Sequence, residues 1–401
     1  MQDYTSYDLY NPTESHKMLR DSVRGFVKSE IEPQALKHDR EERFNLSLFK
    51  KLGELGLLGI TVSEDYGGAG MDALSSVIVH EELSASDPGL CLSYLAHAML
   101  CVNNCAVNAS KEQKERFLPK LCSGEWIGAM AMSEAHIGTD VLGMSTTGVE
   151  EKDYWVVNGQ KMWITNGCVD DDGTPADCVW VYARTGTIKG RAEISTFLIE
   201  KGFKGYSVGQ KIRDKTGMRA SNTAELVFDQ VKVPKSNMVG KPGDSSLHMM
   251  RNLQLERLTL AAMSLGIARR SLEVMNRYAS ERHAFGKPLK DFGQIQRYIG
   301  DSYAEYMAAR AYVYETARKL KLDQYGQRLD SDGVKLVATT MGKNVADRAM
   351  QVLGGYGYVG EYVVERLWRD AKLLEIGGGT LEAHQKNITL DLGKNPEVLL
   401  R

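Results

Sequence analysis

Glu256 has the setting in this sequence that most suggests acid–base chemistry. It lies in MMRNLQLERLTLAAMSLGIARRSLEV, and on a helix its neighbours at i−3, i+4, i+7 and i+11 are Leu253, Leu260, Met263 and Ile267. An apolar face disfavours the charged carboxylate and raises its pKa, which suits a general base working near neutral pH. The same spacing fits a rim carboxylate paired with Arg257 or another arginine, and periodicity alone does not separate the two. A second stretch, MAMSEAHIGTD (Met130 to Asp140), delivers Ser133 and Glu134 from a strand into a turn with Gly138, Thr139 and Asp140. Backbone N–H groups and hydroxyls of this kind can hold a flavin or phosphate edge, or simply end a strand. WITNG sets the Trp163 indole beside Thr165, either as a surface for a flat ring or as a core tryptophan. QVLGGYGYVG, Gln351 to Gly360, fits close backbone approach to a pyrophosphate and equally a helix–helix turn, and it does not follow a strand as a Rossmann loop must. LLEIGGGTLEAHQKN places Gly377, Gly378 and Gly379 in a row before Thr380. Three glycines are costly backbone unless something must approach closely.

Other chemistries find no support. The six cysteines form no Cys-x-x-Cys pair, and neither His-Glu-x-x-His nor Gly-x-Ser-x-Gly occurs. No metal centre, zinc hydrolase or serine hydrolase is therefore expected. His97, three residues after Tyr94 in an apolar helix, reads as structural. A net charge of -2 without long runs of like charge argues against nucleic acid as a partner. No membrane span is expected, because no stretch approaches the roughly 18 apolar residues one needs. The N-terminus lacks a signal peptide's apolar core, and reduced thiols in a cytosol-like compartment are expected.

The elements that must position these residues fall into three blocks over 401 residues, 43% of them hydrophobic. Residues 1–125 read as helical, opening with a capping-box pattern at Thr13 and Glu14. Residues 126–240 are rich in β patterns and read as a small antiparallel domain; YWVVNGQKMWITNG suggests two strands around an Asn-Gly turn. The acidic run CVDDDGTPADC reads as a solvated loop. Residues 241–401 carry long helical patterns at roughly 245–281, 292–322, 331–353 and 380–391, which suit a bundle. The fold class is α+β: helices, β domain, helices.

Taken together and in order, these pieces resemble the flavin-dependent acyl-CoA dehydrogenase family over nearly the whole chain. MSEAHIGTD, WITNG, KTGMRASNTAELVFDQVKVP, RHAFGKPLKDF, QVLGGYGY and RDAKLLEIGGGT are similar to its signatures. The resemblance implies an N-terminal helical domain, a middle β domain and a C-terminal four-helix bundle, assembled as a homotetramer. It implies FAD as cofactor, an acyl-CoA substrate and an electron-transfer flavoprotein as partner, in a bacterial cytoplasm or a mitochondrial matrix. Met132, Ser133, Trp163 and Thr165 would contact the flavin ring, and Thr139 would lie near the pyrophosphate. Arg282 and Phe285 would hold the ADP half, joined by Gln351, Gly354 and Gly355 from a neighbouring subunit. Thr380 and Glu382 would also lie beside FAD. Most members carry the catalytic glutamate in Tyr-Glu-Gly-Thr, where this chain has Gly377, Gly378, Gly379 and Thr380. The isovaleryl-CoA dehydrogenase branch places the base on the first long helix of the C-terminal domain, and the matching residue is Glu256. The resemblance then assigns Glu256 the α-proton, flavin N5 the β-hydride and the Gly378 N–H the thioester oxygen. It puts Arg257, Tyr94, Leu95 and Gly377 around the substrate.

The chain also departs from that pattern. Ala135 stands for the usual proline and is followed by His136 and Ile137; Gly293 stands for a FAD-contacting glutamine; Leu95 stands for a glycine. These leave the acyl group open between a short branched chain, such as isovaleryl, and an aromatic or dicarboxylic one, such as benzylsuccinyl or glutaryl. Non-redox elimination by an acyl-CoA lyase is a further reading of the same fold, and Glu256 argues against it.

Overall fold

The computed structural model describes residues 7–400. Seven helices come first: α1 (Glu14–Phe26), α2 (Glu32–Glu41), α3 (Leu46–Glu54), α4 (Ala73–Ser84), α5 (Pro88–Leu95), α6 (Asn103–Asn108) and α7 (Lys111–Ser123). Thr13 does cap α1, accepting from His16 N, but residue N3 is His16 rather than Glu, so the expected box is only half present. A complete capping box opens α7, where Ser110 and Gln113 each take the other's backbone N–H. Every residue of α4 is buried, which makes it the axis of this half. Its Glu81 accepts from Arg20 of α1, and from Tyr306, Arg310 and Tyr314 of the C-terminal bundle. Burial would raise the Glu81 pKa, but Arg310 and Arg20 outweigh it and hold it at about 2.

Eight strands follow: β1 (Gly128–Ala131), β2 (Thr147–Glu150), β3 (Tyr154–Thr165), β4 (Cys178–Ile188), β5 (Arg191–Glu200), β6 (Tyr206–Lys211), β7 (Thr223–Pro234) and β8 (Met238–Val239). They form one sheet in the order β6-β7-β3-β2-β4-β5-β8, with β1 on β4. The sheet is mixed rather than purely antiparallel, because β1 and β2 both meet β4 in parallel. Residues Cys178 to Ala183 of β4 are all buried, as a strand covered on both faces requires. Val179, Val181 and Ala183 face a core shared with β3 and β7, while Cys178, Trp180 and Tyr182 face one shared with Phe117, Leu118 and Leu121 of α7. The expected Asn-Gly hairpin is absent: β3 runs unbroken through Asn158 and Gly159, which form an irregularity against β7.

The bundle contains α8 (Ser245–Glu281), α9 (Gly293–Lys319), α10 (Arg328–Leu353), a short α11 (Gly355–Tyr358), α12 (Val364–Leu374) and α13 (Leu381–Lys394). A small hairpin, β9 (His283–Ala284) with β10 (Lys287–Pro288), separates α8 from α9. At 1.5 Å rise per residue α8 is ~55 Å long, enough to run from the β domain through the whole bundle. One helical run, Pro88–Asn108, is long and apolar enough to cross a membrane by length and composition, contrary to the sequence expectation. It lies inside the fold, with 89% of its apolar window buried, as a core helix would be.

Candidate active site

Glu256 lies near the start of the continuous buried run Gln254–Ala268 of α8, and its carboxylate reaches the glycine loop between α12 and α13. Gly378 has φ +68°, and a Cβ there would lie 3.3 Å from Glu256 Oε1 and run into Leu260 Cδ1. A side chain at position 378 would clash with Leu260 and crowd the Glu256 carboxylate, both arriving from α8. Burial raises the Glu256 pKa above the usual carboxylate range, and the charges of Arg257 and Lys335 offset only part of that. Glu256 Oε2 is buried without a hydrogen-bond partner. Such an atom is costly unless something else is meant to meet it. Among the described residues no backbone carbonyl accepts from the Gly378 N–H. Gly377, by contrast, donates to Leu373 O and closes the end of α12.

Arg257 does not pair with Glu256. Neighbours on a helix point about 100° apart, and the Arg257 guanidinium lies 3.0 Å from Asp332 of α10. Asp332 Oδ1 also meets His384 Nδ1 at 2.6 Å, and His384 Nε2 donates to the Gly379 carbonyl at 2.9 Å. Lys335 Nζ donates to the same carbonyl at 2.8 Å. Gly379 has φ +104°, and a Cβ there would sit 3.0 Å from the His384 ring. Asp332, Lys335 and His384 went unnoticed in the sequence. The available signal was weak: Asp332 and Lys335 stand at i, i+3 spacing on a face of α10 that also carries Arg328, Ser331 and Thr339. Thr380 caps α13 by accepting from Ala383 N, and Glu382 is exposed in the first turn.

The β domain supplies a second set. The Met162 N–H donates to Ser133 O, which sets the end of β1 beside the end of β3. Trp163 takes φ +67° there and leaves 61% of its surface exposed, beside half-buried Thr165 and Ser133. A large indole held out in a rare backbone conformation makes a flat face that lacks a cover, so the residues present fit an isoalloxazine ring. Met132 packs in the same cluster as Met249 and Leu253, the turn of α8 that leads to Glu256. The Glu134 carboxylate is spent on structure. Burial would raise its pKa, but hydrogen bonds from Ser145 and Thr146 outweigh that and hold it at about 2. Thr139 is exposed beyond this turn. Tyr94 and Leu95 are buried in the same core cluster as Leu260 of α8, and the Tyr94 hydroxyl donates to Leu57 O. His97 bridges Leu121 O and the Gly128 N–H, a structural position.

Arg282, Gly354 and Gly355 line one cleft of ≈ 490 Å³ with Tyr278 and Tyr356. Gln351 is exposed beside it, and a Cβ at Gly354 or Gly355 would meet only open space. Phe285, at the tip of the β9–β10 hairpin, is 96% exposed. The acidic loop is a built turn: Asp170 accepts from the N–H groups of Asp172 and Thr174, and Asp171 pairs with Lys211 and Arg213. Among the described residues no group of three or more His, Cys, Asp or Glu side chains could hold a metal ion.

Three family models cover the chain: the N-terminal domain of acyl-CoA dehydrogenase over residues 13–125, its middle domain over 129–231 and its C-terminal domain over 247–392. A mitochondrial isovaleryl-CoA dehydrogenase from Solanum tuberosum is 41% identical over 95% of this chain and 91% of its own. A short-chain-specific acyl-CoA dehydrogenase from Clostridium acetobutylicum is 40% identical over 94% and 97%. The solved butyryl-CoA dehydrogenase from Megasphaera elsdenii superposes with a TM-score of 0.90 at 34% identity, over 95% of this chain and 98% of its own. The chain therefore belongs to the acyl-CoA dehydrogenase family, FAD-dependent oxidoreductases acting on acyl-CoA thioesters.

Proposed function

We propose that this protein oxidises a short branched acyl-CoA, such as isovaleryl-CoA, to its enoyl-CoA, with Glu256 as the base that takes the α-proton. The observation that carries this reading is the Glu256 carboxylate lying 3.3 Å from where a Gly378 side chain would begin. By the resemblance, the loop lacks the glutamate that most members carry there, and Glu256 on α8 would take its place. FAD, when bound, supplies the acceptor for the β-hydrogen and its electron pair. Glu256 is suited to its task because burial keeps its basicity high. The Gly378 N–H is free to donate to the thioester oxygen as negative charge develops there, a contribution often worth a few kcal/mol of barrier. A dicarboxylic substrate would call for an available cation near Glu256, and the two closest are engaged, Arg257 with Asp332 and Lys335 with Gly379 O.

Met132, Ser133, Trp163 and Thr165 would hold the flavin ring and Thr139 the pyrophosphate. Arg282 and Phe285 would hold the ADP half, with Gln351, Gly354 and Gly355 contributed across a subunit interface of a homotetramer. Reduced enzyme would pass its electrons to an electron-transfer flavoprotein. Glu256→Gln is expected to retain FAD at the wild-type ratio and to slow anaerobic flavin bleaching by isovaleryl-CoA about 10³-fold. Full activity in that variant would overturn the base assignment. Bleaching of the wild type by a panel of acyl-CoAs ranks the acyl groups, and turnover without bleaching would point to elimination instead.

A further inference from the structure

The glycine loop is held from beneath by two donors on one carbonyl. Lys335 Nζ at 2.8 Å and His384 Nε2 at 2.9 Å both donate to Gly379 O. The Lys335 and His384 side chains are fully buried. His384 faces acceptors on both ring nitrogens, with Asp332 Oδ1 2.6 Å from Nδ1. Nε2 must carry a hydrogen to meet a carbonyl, and with Nδ1 against Asp332 the ring cannot turn without losing both contacts. Asp332 is in turn fixed by Arg257, the residue after Glu256. The chain of contacts therefore begins and ends at the reacting pair: Glu256 and Arg257 on α8, Asp332 and Lys335 on α10, His384 on α13, and the loop of Gly378 and Gly379.

Glycine backbone at φ +68° and +104° has many other conformations open to it. A loop of this kind aims an N–H reliably only if its carbonyls are held. Burying an ammonium group is expensive, and among the described residues the Lys335 Nζ donates only to Gly379 O. Its place in the fold is explained by that bond and by its charge near Glu256.

We infer that Lys335, together with the Asp332–His384 pair, is a positioning device that clamps the Gly379 carbonyl and so fixes the Gly378 N–H beside the Glu256 carboxylate for proton abstraction. This rests on the proposed function. The charged groups facing Lys335 are Glu256, Arg257, Asp332 and Glu375, with His384 on the shared carbonyl. Lys335 is the cation whose loss leaves Glu256 with Arg257 alone to favour its ionised form.

The test compares Lys335→Met and Lys335→Arg with wild type. Methionine fills the stem's volume and removes the buried charge, so the fold is expected to survive. Three readouts are taken: kcat against KM with acyl-CoA, the acid limb of the kcat–pH profile, and hydrogen exchange of the segment Gly377–His384 without substrate. Lys335→Met is expected to lower kcat about 10-fold or more with KM within about 3-fold, to move the acid limb to higher pH and to speed exchange in the segment. Lys335→Arg should lie nearer wild type on all three. Unchanged kcat, limb and exchange in Lys335→Met would overturn the clamp, as would a rise in KM alone. Should Lys335→Met fail to fold, His384→Phe keeps the ring's bulk without either hydrogen bond and carries the same kinetic and exchange readouts. If the wild type bleaches with no acyl-CoA, the proposed function fails, and the exchange measurement still decides whether the clamp exists.

Discussion

At the scale of the residue, the chemistry depends on an exchange between positions 256 and 378. A base must be ionised to accept a proton, and the Glu256 pKa is raised by burial. The kcat of the wild type is therefore expected to fall as pH is lowered, with its limb above the ordinary carboxylate range; a limb at or below about 4.3 would contradict the buried setting. Returning a glutamate to the loop should not add a second base. Gly378→Glu forces a side chain to φ +68°, crowds Leu260 and places a second carboxylate against the first. Expected outcomes are a loss of ~1–3 kcal/mol in stability from the backbone alone, and turnover below wild type. Turnover above wild type would mean that the space beside Gly378 is larger than the Leu260 contact implies. Helical period in the sequence puts an acid among Leu253, Leu260 and Met263, but it left base and rim carboxylate open, and only the resemblance chose the base. The clamp beneath it was not legible. Asp332 and His384 are 52 residues apart, each is ordinary in its own helix, and only packing of α13 on α10 makes them partners.

At the scale of the element, the instructive case is β3. Asn-Gly between two apolar runs is a strong local signal for a two-residue turn. Tertiary pairing overrides it here: β7 runs alongside as one continuous partner, Asn158 Oδ1 accepts from the Gln230 N–H, and Gly159 takes φ +144° over Thr146. The unbroken strand is what carries Trp163 to the far end, beside Ser133. Gly159 is glycine for two reasons at once, since a Cβ would sit 2.5 Å from Thr146 Oγ1 and 2.7 Å from Thr146 Cα, and few other residues adopt that φ. Gly159→Ala is expected to cost ~2–3 kcal/mol in thermal or denaturant unfolding. A variant as stable as wild type would show that the bulge can relax. The long bundle helices were legible from their periodicity to within a few residues. The short α12 was not, because it is brief, charged and flanked by Gly360 and Gly377.

At the scale of the whole molecule, α12 is the piece that ties the three blocks together. Arg369 pairs with Asp39 of α2 and reaches Thr216 O in the loop before β7, and Arg366 donates to Ser86 O between α4 and α5. Asp370 accepts from the Met218 N–H of the β domain. Motif resemblance marked this stretch but gave no hint that its charges meet residues from three distant segments, because such a junction exists only once the blocks have docked. Burial raises the Asp370 pKa to about 7, with Asp39 adding to the effect while Arg366 opposes it. Its unfolded value is about 3.9. Between those two values the folded chain binds a proton that the unfolded chain releases, so this group's contribution to stability falls as pH rises from about 4 and levels off above about 7. Asp370→Asn keeps the acceptor for Met218 N–H and removes the titration. It is expected to melt about 3 °C above wild type at pH 8, with the gap narrowing steadily towards pH 5. A variant less stable than wild type at pH 8 would show that Asp370 is needed as an anion beside Arg366, and that the junction is held by charge rather than by the hydrogen bond to the β domain.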